Sequence, residues 1–149
     1  HIVTARGRGL NGRQPGKRLI AGMGMAALGN AVSRRTLPAS FQRVVFASSS
    51  AEPLTPLFDG FGTRYIDLAE NNVFNALMAS GAIPYVFEGV FDIEGAGNGA
   101  FWDGGIIDYH FDLKRLPEDQ VWLYPHFNSR TTVGWFDKFL PCGLEPVLI

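Results

Sequence analysis

One carboxylate of this sequence, Asp103, stands between an apolar run and two glycines. The run at 100–102 is typical of a strand that leads into a protein core. Gly104 and Gly105 allow a sharp turn and a close approach of another segment or a ligand. An acid held at such a turn has one orientation and is partly desolvated, which raises its pKa and makes it a usable base. Asp-Gly turns are also common in structural roles, and these residues alone favour that interpretation.

Three polar side chains, Asp108, His110 and Asp112, alternate along the chain and would share one face of a strand. Carboxylates and imidazole at this spacing could bind a divalent metal, but a solvated strand face has the same pattern, and we favour the solvated face.

Cys142 is the only cysteine, so no internal disulfide can form. It could pair with His110 or His126 as thiol and imidazole, but its place near the C-terminal end gives this little weight. We predict no metal site and no cofactor.

Residues 7–12 match the glycine pattern G-x-G-x-x-G of dinucleotide-binding turns. That fingerprint also requires a helix that opens at the glycines and an acid about 20 residues further on. Pro15 and Gly16 interrupt the helix start, and the first acid of the chain is Glu52. We therefore favour a glycine-rich connection and keep a nucleotide-binding module as a third hypothesis of function.

Charge is unevenly distributed along the chain. The 149 residues carry a net charge of −1, yet residues 1–50 hold eight basic side chains and no acid, whereas the remainder has a balance of −9. Such asymmetry can mark a face for phospholipid headgroups or nucleic acid. We favour the interpretation that the basic and acidic halves of the chain face each other or are solvated. The basic half has few aromatic residues to stack on bases, so we predict no nucleic-acid partner.

The first half of the chain predicts strands at 1–5 and 41–47 with an uncharged helix between them at 19–32. Apolar residues recur at helical spacing in this helix, which indicates a buried or interfacial position (Ile20, Met23, Ala27, Leu28, Ala31). It is shorter than the about 20 residues that span a bilayer. Because basic residues flank the helix, peripheral membrane contact is an alternative interpretation, but we favour packing against a core. No signal-peptide pattern is present, so we expect a soluble or peripheral protein and assign it to no cellular compartment.

Asp67 and Glu70 have the spacing of a helix start, with Asp67 as the N-cap. An apolar stripe follows at helical spacing, and Gly81 and Pro84 end the helix (Val73, Phe74, Leu77, Met78, Gly81).

Strand material is predicted at 85–87 and 90–93, and a glycine-rich hairpin turn at 94–99 returns the chain toward Asp103. A further strand is predicted at 121–125 and a short helix at 133–140. The whole chain is predicted to form one α/β unit.

The stretch 77–84 (Leu-Met-Ala-Ser-Gly-Ala-Ile-Pro), a hairpin and then Trp102-Asp103-Gly104-Gly105 resemble the patatin-like phospholipase family. The resemblance covers residues 68–107. It implies a three-layer α/β fold with a central mixed sheet. It also implies a serine acyl hydrolase that cleaves lipid esters with a Ser-Asp dyad, in which Asp103 is the base and Gly104 and Gly105 shape its turn.

The sequence departs from that family in two places. No G-x-S-x-G nucleophile motif occurs in the 149 residues, and Ile106-Ile107 follows the glycines where the family often has Asn and Pro. We therefore expect residues 1–149 to be a single partial domain, the C-terminal portion of a patatin-like domain that is inactive alone. The serine would come from an upstream half, and exposed apolar faces would bind that half or self-associate. The alternative is a non-catalytic homologue or scaffold that lacks the nucleophile.

Overall fold

The computed structural model describes residues 1–54, 59–110 and 132–139. In these ranges five strands form one mixed sheet of order β3-β2-β1-β5-β4, in which β2 and β3 are parallel and the other neighbours antiparallel. The strands and the two α-helices are, in chain order, β1 (Ile2–Gly7), α1 (Lys17–Val32), β2 (Phe41–Ala47), β3 (Arg64–Asp67), α2 (Val73–Ser80), β4 (Val90–Phe91) and β5 (Ala100–Asp103). Short 3-10 helices lie at Gly9–Gly12, Arg34–Ala39, Gly104–Ile106 and Trp135–Phe139.

The sheet has an apolar cluster on each face. On one face Ala5, Phe41 and Trp102 pack with α1, and on the other Val44 and Phe101 pack with α2. The two sets come from the same strands because successive side chains of a strand point to opposite faces. The chain is thus an α/β protein with a mixed central sheet and helices on both sides.

Several predicted elements are confirmed. The strand predicted at 41–47 has those bounds, and the strand predicted at 1–5 extends to Gly7. The hairpin is confirmed by the pairing of β4 with β5 around residues 94–99. The strand predicted at 85–87 is wrong, since Tyr85 has a φ of 69° and begins a tight turn. The predicted strand at 121–125 lies outside the described residues, and the predicted helix at 133–140 is a 3-10 helix at Trp135–Phe139.

Helix α1 is present as predicted, but its predicted apolar stripe is confirmed only at Met23 and, in part, at Ala27, which pack against the core. The buried side is formed by Leu19, Gly22, Met23, Ala26 and Asn30. Ile20 and Leu28 point outward, with 59% and 73% of their surfaces exposed. Both sides of the helix are apolar, so periodicity did not distinguish the side that packs. None of the helices in the described ranges is long and apolar enough to cross a bilayer.

The predicted start of α2 at Asp67 is also wrong. Asp67 is the last residue of β3, where it pairs with Ala47, and the helix begins at Val73. Asn72 is the residue that organises the helix entry: its side chain accepts the Ala69 N–H at 2.9 Å and donates to the Asp67 carbonyl at 2.9 Å. Asp67 therefore pairs within the sheet, although its local sequence indicates a helix cap.

The side chains that α2 buries are small. Ala76 and Ala79 contact the sheet, whereas Phe74, Leu77 and Met78 of the predicted stripe are 70%, 55% and 55% exposed. The alanines allow the helix to approach the sheet closely, and the large residues are left on the outer side.

Residues 7–12 form a closely packed connection in which Gly7 and Gly12 lie against backbone atoms, whereas Gly9 has a φ of 56°. These residues include the 3-10 helix Gly9–Gly12, which connects β1 to α1 as favoured from the sequence. A Cβ at Gly7 would lie 2.0 Å from the Asn11 carbonyl oxygen. That oxygen accepts the indole N–H of Trp102 at 2.8 Å in the core. Helix α1 begins at Lys17, beyond the motif, unlike the helix of a dinucleotide-binding turn.

Two glycines of α1 offer a matched test of this packing. A Cβ at Gly22 would lie 2.4 Å from Asn11 Oδ1 and 2.9 Å from Leu10 Cβ, whereas one at Gly24 meets nothing within 4 Å. Gly22→Ala should therefore lower the free energy of unfolding by about 1–3 kcal/mol. Gly24→Ala should raise it by about 0.5–1 kcal/mol through helix propensity. Urea unfolding of both variants measures the difference, and equal changes would exclude tight packing at Gly22.

Candidate functional site

Asp103 is the last residue of β5, where it pairs with Thr4 of β1. Its backbone N–H donates to the Ala82 carbonyl at 3.0 Å, which fastens the strand end to the segment after α2. Its carboxylate oxygen Oδ1 accepts the Gly105 N–H at 2.7 Å and caps the 3-10 helix Gly104–Ile106. The residues that the sequence analysis singled out therefore form one turn with a fixed carboxylate.

Gly104 is required by close backbone packing at this turn. A Cβ there would lie 2.5 Å from the Val3 carbonyl oxygen of β1. Any larger residue would move the turn away from the sheet and shift the carboxylate that precedes it. The role predicted for Gly104, to shape the turn, has this physical basis.

The turn opens on a cleft of about 400 Å³ at the sheet end where β1 begins and β5 ends. Its lining mixes polar and apolar groups: His1, Ile2, Val3, Leu77, Ser80, Asp103, Gly104, Gly105, Asp108 and Tyr109. Sequence reasoning singled out Asp103, Gly104 and Gly105 as the site, but gave no site role to Ser80 or Tyr109. Ser80 donates its hydroxyl to the Leu77 carbonyl at 2.8 Å, so in the described structure it caps its own helix.

Burial raises the pKa of the Asp103 carboxyl above its ordinary value. The Gly105 N–H and the positive charge of Lys138 act in the opposite direction, but the loss of solvation is the larger effect. Lys138 Nζ lies 3.4 Å from the ring centroid of Tyr109 at the edge of the cleft. Within the described ranges, no donor lies within hydrogen-bond distance of the second oxygen, Oδ2. Asp103 therefore lines the cleft with a carboxylate of which only Oδ1 has a described hydrogen-bond donor.

The raised pKa predicts that Asp103 destabilises the folded protein when it is ionised. The folded state binds the proton more tightly than the unfolded state, so the free energy of unfolding falls as pH rises through the folded-state pKa. Asp103→Asn keeps an acceptor for Gly105 N–H without the charge. It should be more stable than wild type at neutral pH, and the gain should vanish as pH falls below the ordinary pKa of an aspartic acid. Urea unfolding across pH measures this, and an Asn variant that is less stable at every pH would contradict it.

The structure does not bring the alternating residues together as one strand face. Asp108 and His110 lie in an irregular segment, which makes the interpretation as a solvated strand face wrong. The Asp108 side chain is only 8% exposed and is paired with Arg43, and His110 Nδ1 accepts the Thr132 N–H at 2.9 Å. Asp112, His126 and Cys142 lie outside the described residues. Among those described, no group of three His, Cys, Asp or Glu residues is close enough to hold a metal.

A buried network of two arginines and two aspartates lies under the turn. Arg43 donates to Asp108 through Nε at 2.6 Å and Nη2 at 2.7 Å, and Arg34 donates to Asp137 at 2.9 Å. Both guanidinium groups lie over the Phe61 ring, with centroid distances of 5.1 Å for Arg43 and 5.6 Å for Arg34. Burial lowers the pKa of Arg34 even with Asp137 beside it.

This network fixes the chain just after the candidate site. Arg34 also donates to the Ile107 carbonyl, so residues 107 and 108 are both bound by arginines. No local sequence pattern predicted this network, although Arg43 gave a signal. It is a single cation within an apolar strand, where a buried charge requires a partner.

Comparison with models of protein families, with curated proteins and with solved structures finds no match for this chain.

Proposed function

We propose that this chain supplies the general base of a serine acyl hydrolase that acts on lipid esters, and that the base is Asp103. The observation that carries the proposal is the half-buried carboxylate whose Oδ1 is held by Gly105 N–H while Oδ2 has no described donor and the group lines a cleft. In support, residues 77–84 and 102–105 resemble the patatin-like phospholipases, whose three-layer fold we propose for the chain.

The chemistry follows from what an ester requires. Oδ2 of Asp103 takes the proton of a serine hydroxyl as the serine oxygen attacks the ester carbonyl. The carbonyl oxygen gains the negative charge, which backbone N–H donors stabilise. The protonated Asp103 then gives its proton to the departing alcohol, and an acyl-serine remains for hydrolysis by water. A raised pKa suits this role because the carboxylate must accept a proton and then return it.

The serine, in this proposal, lies on a segment outside these 149 residues, because they contain no G-x-S-x-G motif. The outer side of α2 adjoins the cleft and presents Phe74, Leu77 and Met78. An apolar surface of this kind suits a segment that packs beside the base, or the acyl chain of a lipid.

The lack of the motif also favours a second candidate, a non-catalytic homologue that keeps the fold without the nucleophile. A fluorophosphonate probe, applied to the protein purified from its natural source, distinguishes the two. The dyad predicts one labelled serine in a G-x-S-x-G peptide, found by mass spectrometry, together with hydrolysis of lipid esters. Absence of both labelling and turnover would support the non-catalytic homologue. A label on Ser80 would contradict the proposed dyad and assign the reactive serine to helix α2.

A further inference from the structure

Helix α1 has an apolar side that the core does not use. Leu19, Met23 and Ala26 face the sheet, and the opposite side presents large apolar residues that solvent reaches. These are Ile20 and Met25, each 59% exposed, Leu28, 73% exposed, and Val32, 87% exposed. We name these four residues the α1 outer face. The helix has 16 residues and is about 24 Å long, so this is an extended apolar patch rather than a single exposed residue.

Basic side chains border this face at both ends. Arg13, Lys17 and Arg18 lie exposed at the start of the helix, and Arg35 lies exposed just after its end. In the part of the chain that the structure describes, their side chains form no ion pair with an acid. Residues 1–50 contain no acid at all. An apolar face with cations at both ends complements a surface that combines hydrocarbon with negative charge.

We propose that the α1 outer face docks on the surface of an anionic lipid bilayer, with the helix parallel to the membrane plane. The four apolar side chains enter the boundary between headgroups and acyl chains, and the four cations bind the headgroup phosphates and carboxylates. The helix does not cross the bilayer, which is consistent with its length. This docking goes beyond the proposed hydrolase, because it involves neither Asp103 nor the cleft.

Charge argues against a second copy of α1 as the occupant. Two antiparallel copies would bring Lys17 and Arg18 of one chain to Arg35 of the other, and a parallel arrangement would bring like ends together. No acid in residues 1–50 is available to neutralise either contact. The four cations favour an anionic lipid surface over this symmetric pairing.

Co-sedimentation of the full protein with lipid vesicles tests the proposal. We expect binding to phosphatidylcholine vesicles that contain about 30 mol% phosphatidylserine, and at least about tenfold weaker binding to phosphatidylcholine alone. Raising salt from about 50 to about 200 mM should weaken the binding to anionic vesicles. Replacing Lys17 and Arg18 by Gln should weaken it by about fivefold for each charge.

The apolar part of the proposal has a matched control at an exposed apolar residue outside helix α1. Leu28→Asp with Val32→Asp should reduce binding by at least about tenfold, since two apolar anchors become anions. Val86→Asp changes a side chain that is 65% exposed in the turn after α2 and does not line the cleft, and it should bind like wild type. All three positions are exposed, and circular dichroism confirms that the variants fold.

Three outcomes would overturn the proposal. Equal binding to neutral and anionic vesicles would exclude the role of the cations, and an equal loss of binding in the Val86 variant would indicate nonspecific adhesion. Self-association without vesicles that Leu28→Asp abolishes would assign the face to a second copy. Asp103→Asn should bind vesicles normally, so a failure of the hydrolase proposal leaves this test unaffected.

Discussion

Under the proposed Ser-Asp dyad, Asp103→Asn should lower kcat/KM for ester hydrolysis by about 10³-fold. The amide keeps the acceptor for Gly105 N–H, so the turn and the cleft should retain their shape. It loses the ability of the carboxylate, which lines the cleft, to take a proton. Because the charge-free variant is expected to be more stable at neutral pH, unfolding would not account for the loss. Steady-state hydrolysis of a lipid ester, with urea unfolding of the same preparation, measures both.

Asp92→Asn is the matched control for this experiment. Asp92 also accepts a glycine N–H, that of Gly99 at 3.0 Å, but it lies exposed at the hairpin and does not line the cleft. It should hydrolyse esters at the wild-type rate. If Asp103→Asn kept activity within about threefold of wild type, Asp103 could not be the general base, since a base contributes at least about a hundredfold.

The turn at Asp103 could be predicted from the sequence because its determinants are local. An apolar strand, one acid and two glycines lie within six residues, and the hydrogen bond from Gly105 N–H to Asp103 spans two positions. The direction of the pKa shift follows from the same stretch, because the apolar strand buries the acid that ends it. The cleft required residues from β1, α2 and the segment around Tyr109, which no local pattern relates.

The faces of the helices could not be predicted, for a physical reason. Both sides of α1 are apolar, so the side that packs depends on the approach of Gly22 to Asn11 rather than on periodicity. In α2 the buried side carries alanines and the exposed side carries Phe74, so the larger hydrophobic residues gave the wrong face. A hydrophobic stripe identifies the packed side only when the opposite side is polar.

Long-range ion pairs were likewise beyond local patterns. Arg43 and Asp108 are 65 residues apart in the chain, and the alternation of Asp108 with His110 suggested a solvated strand instead. Asp67 shows the same limit, since pairing with Ala47 of β2 placed it in the sheet rather than at a helix cap. In both cases a tertiary partner determined the role of a residue whose local pattern indicated another.

Asp108→Ala should lower the free energy of unfolding by about 3–5 kcal/mol, because it leaves the Arg43 charge buried without its bidentate partner. The Arg43 and Asp108 side chains are only 4% and 8% exposed, so water does not replace the lost carboxylate. Urea unfolding at neutral pH measures the loss.

Asp59→Ala provides the control because Asp59 binds the same arginine from the surface. Its carboxylate lies 3.4 Å from Arg43 Nη1 and its side chain is 60% exposed, so removal should cost about 0.2–1 kcal/mol. The contrast between the two variants compares a buried bidentate partner of Arg43 with an exposed partner that accepts a single, longer bond. Equal losses would mean that solvent reaches Arg43 as readily as Asp59. The buried pair would then not be what fixes the chain after Asp103, and that role would fall to Arg34 at the Ile107 carbonyl and to the turn at Gly104 and Gly105.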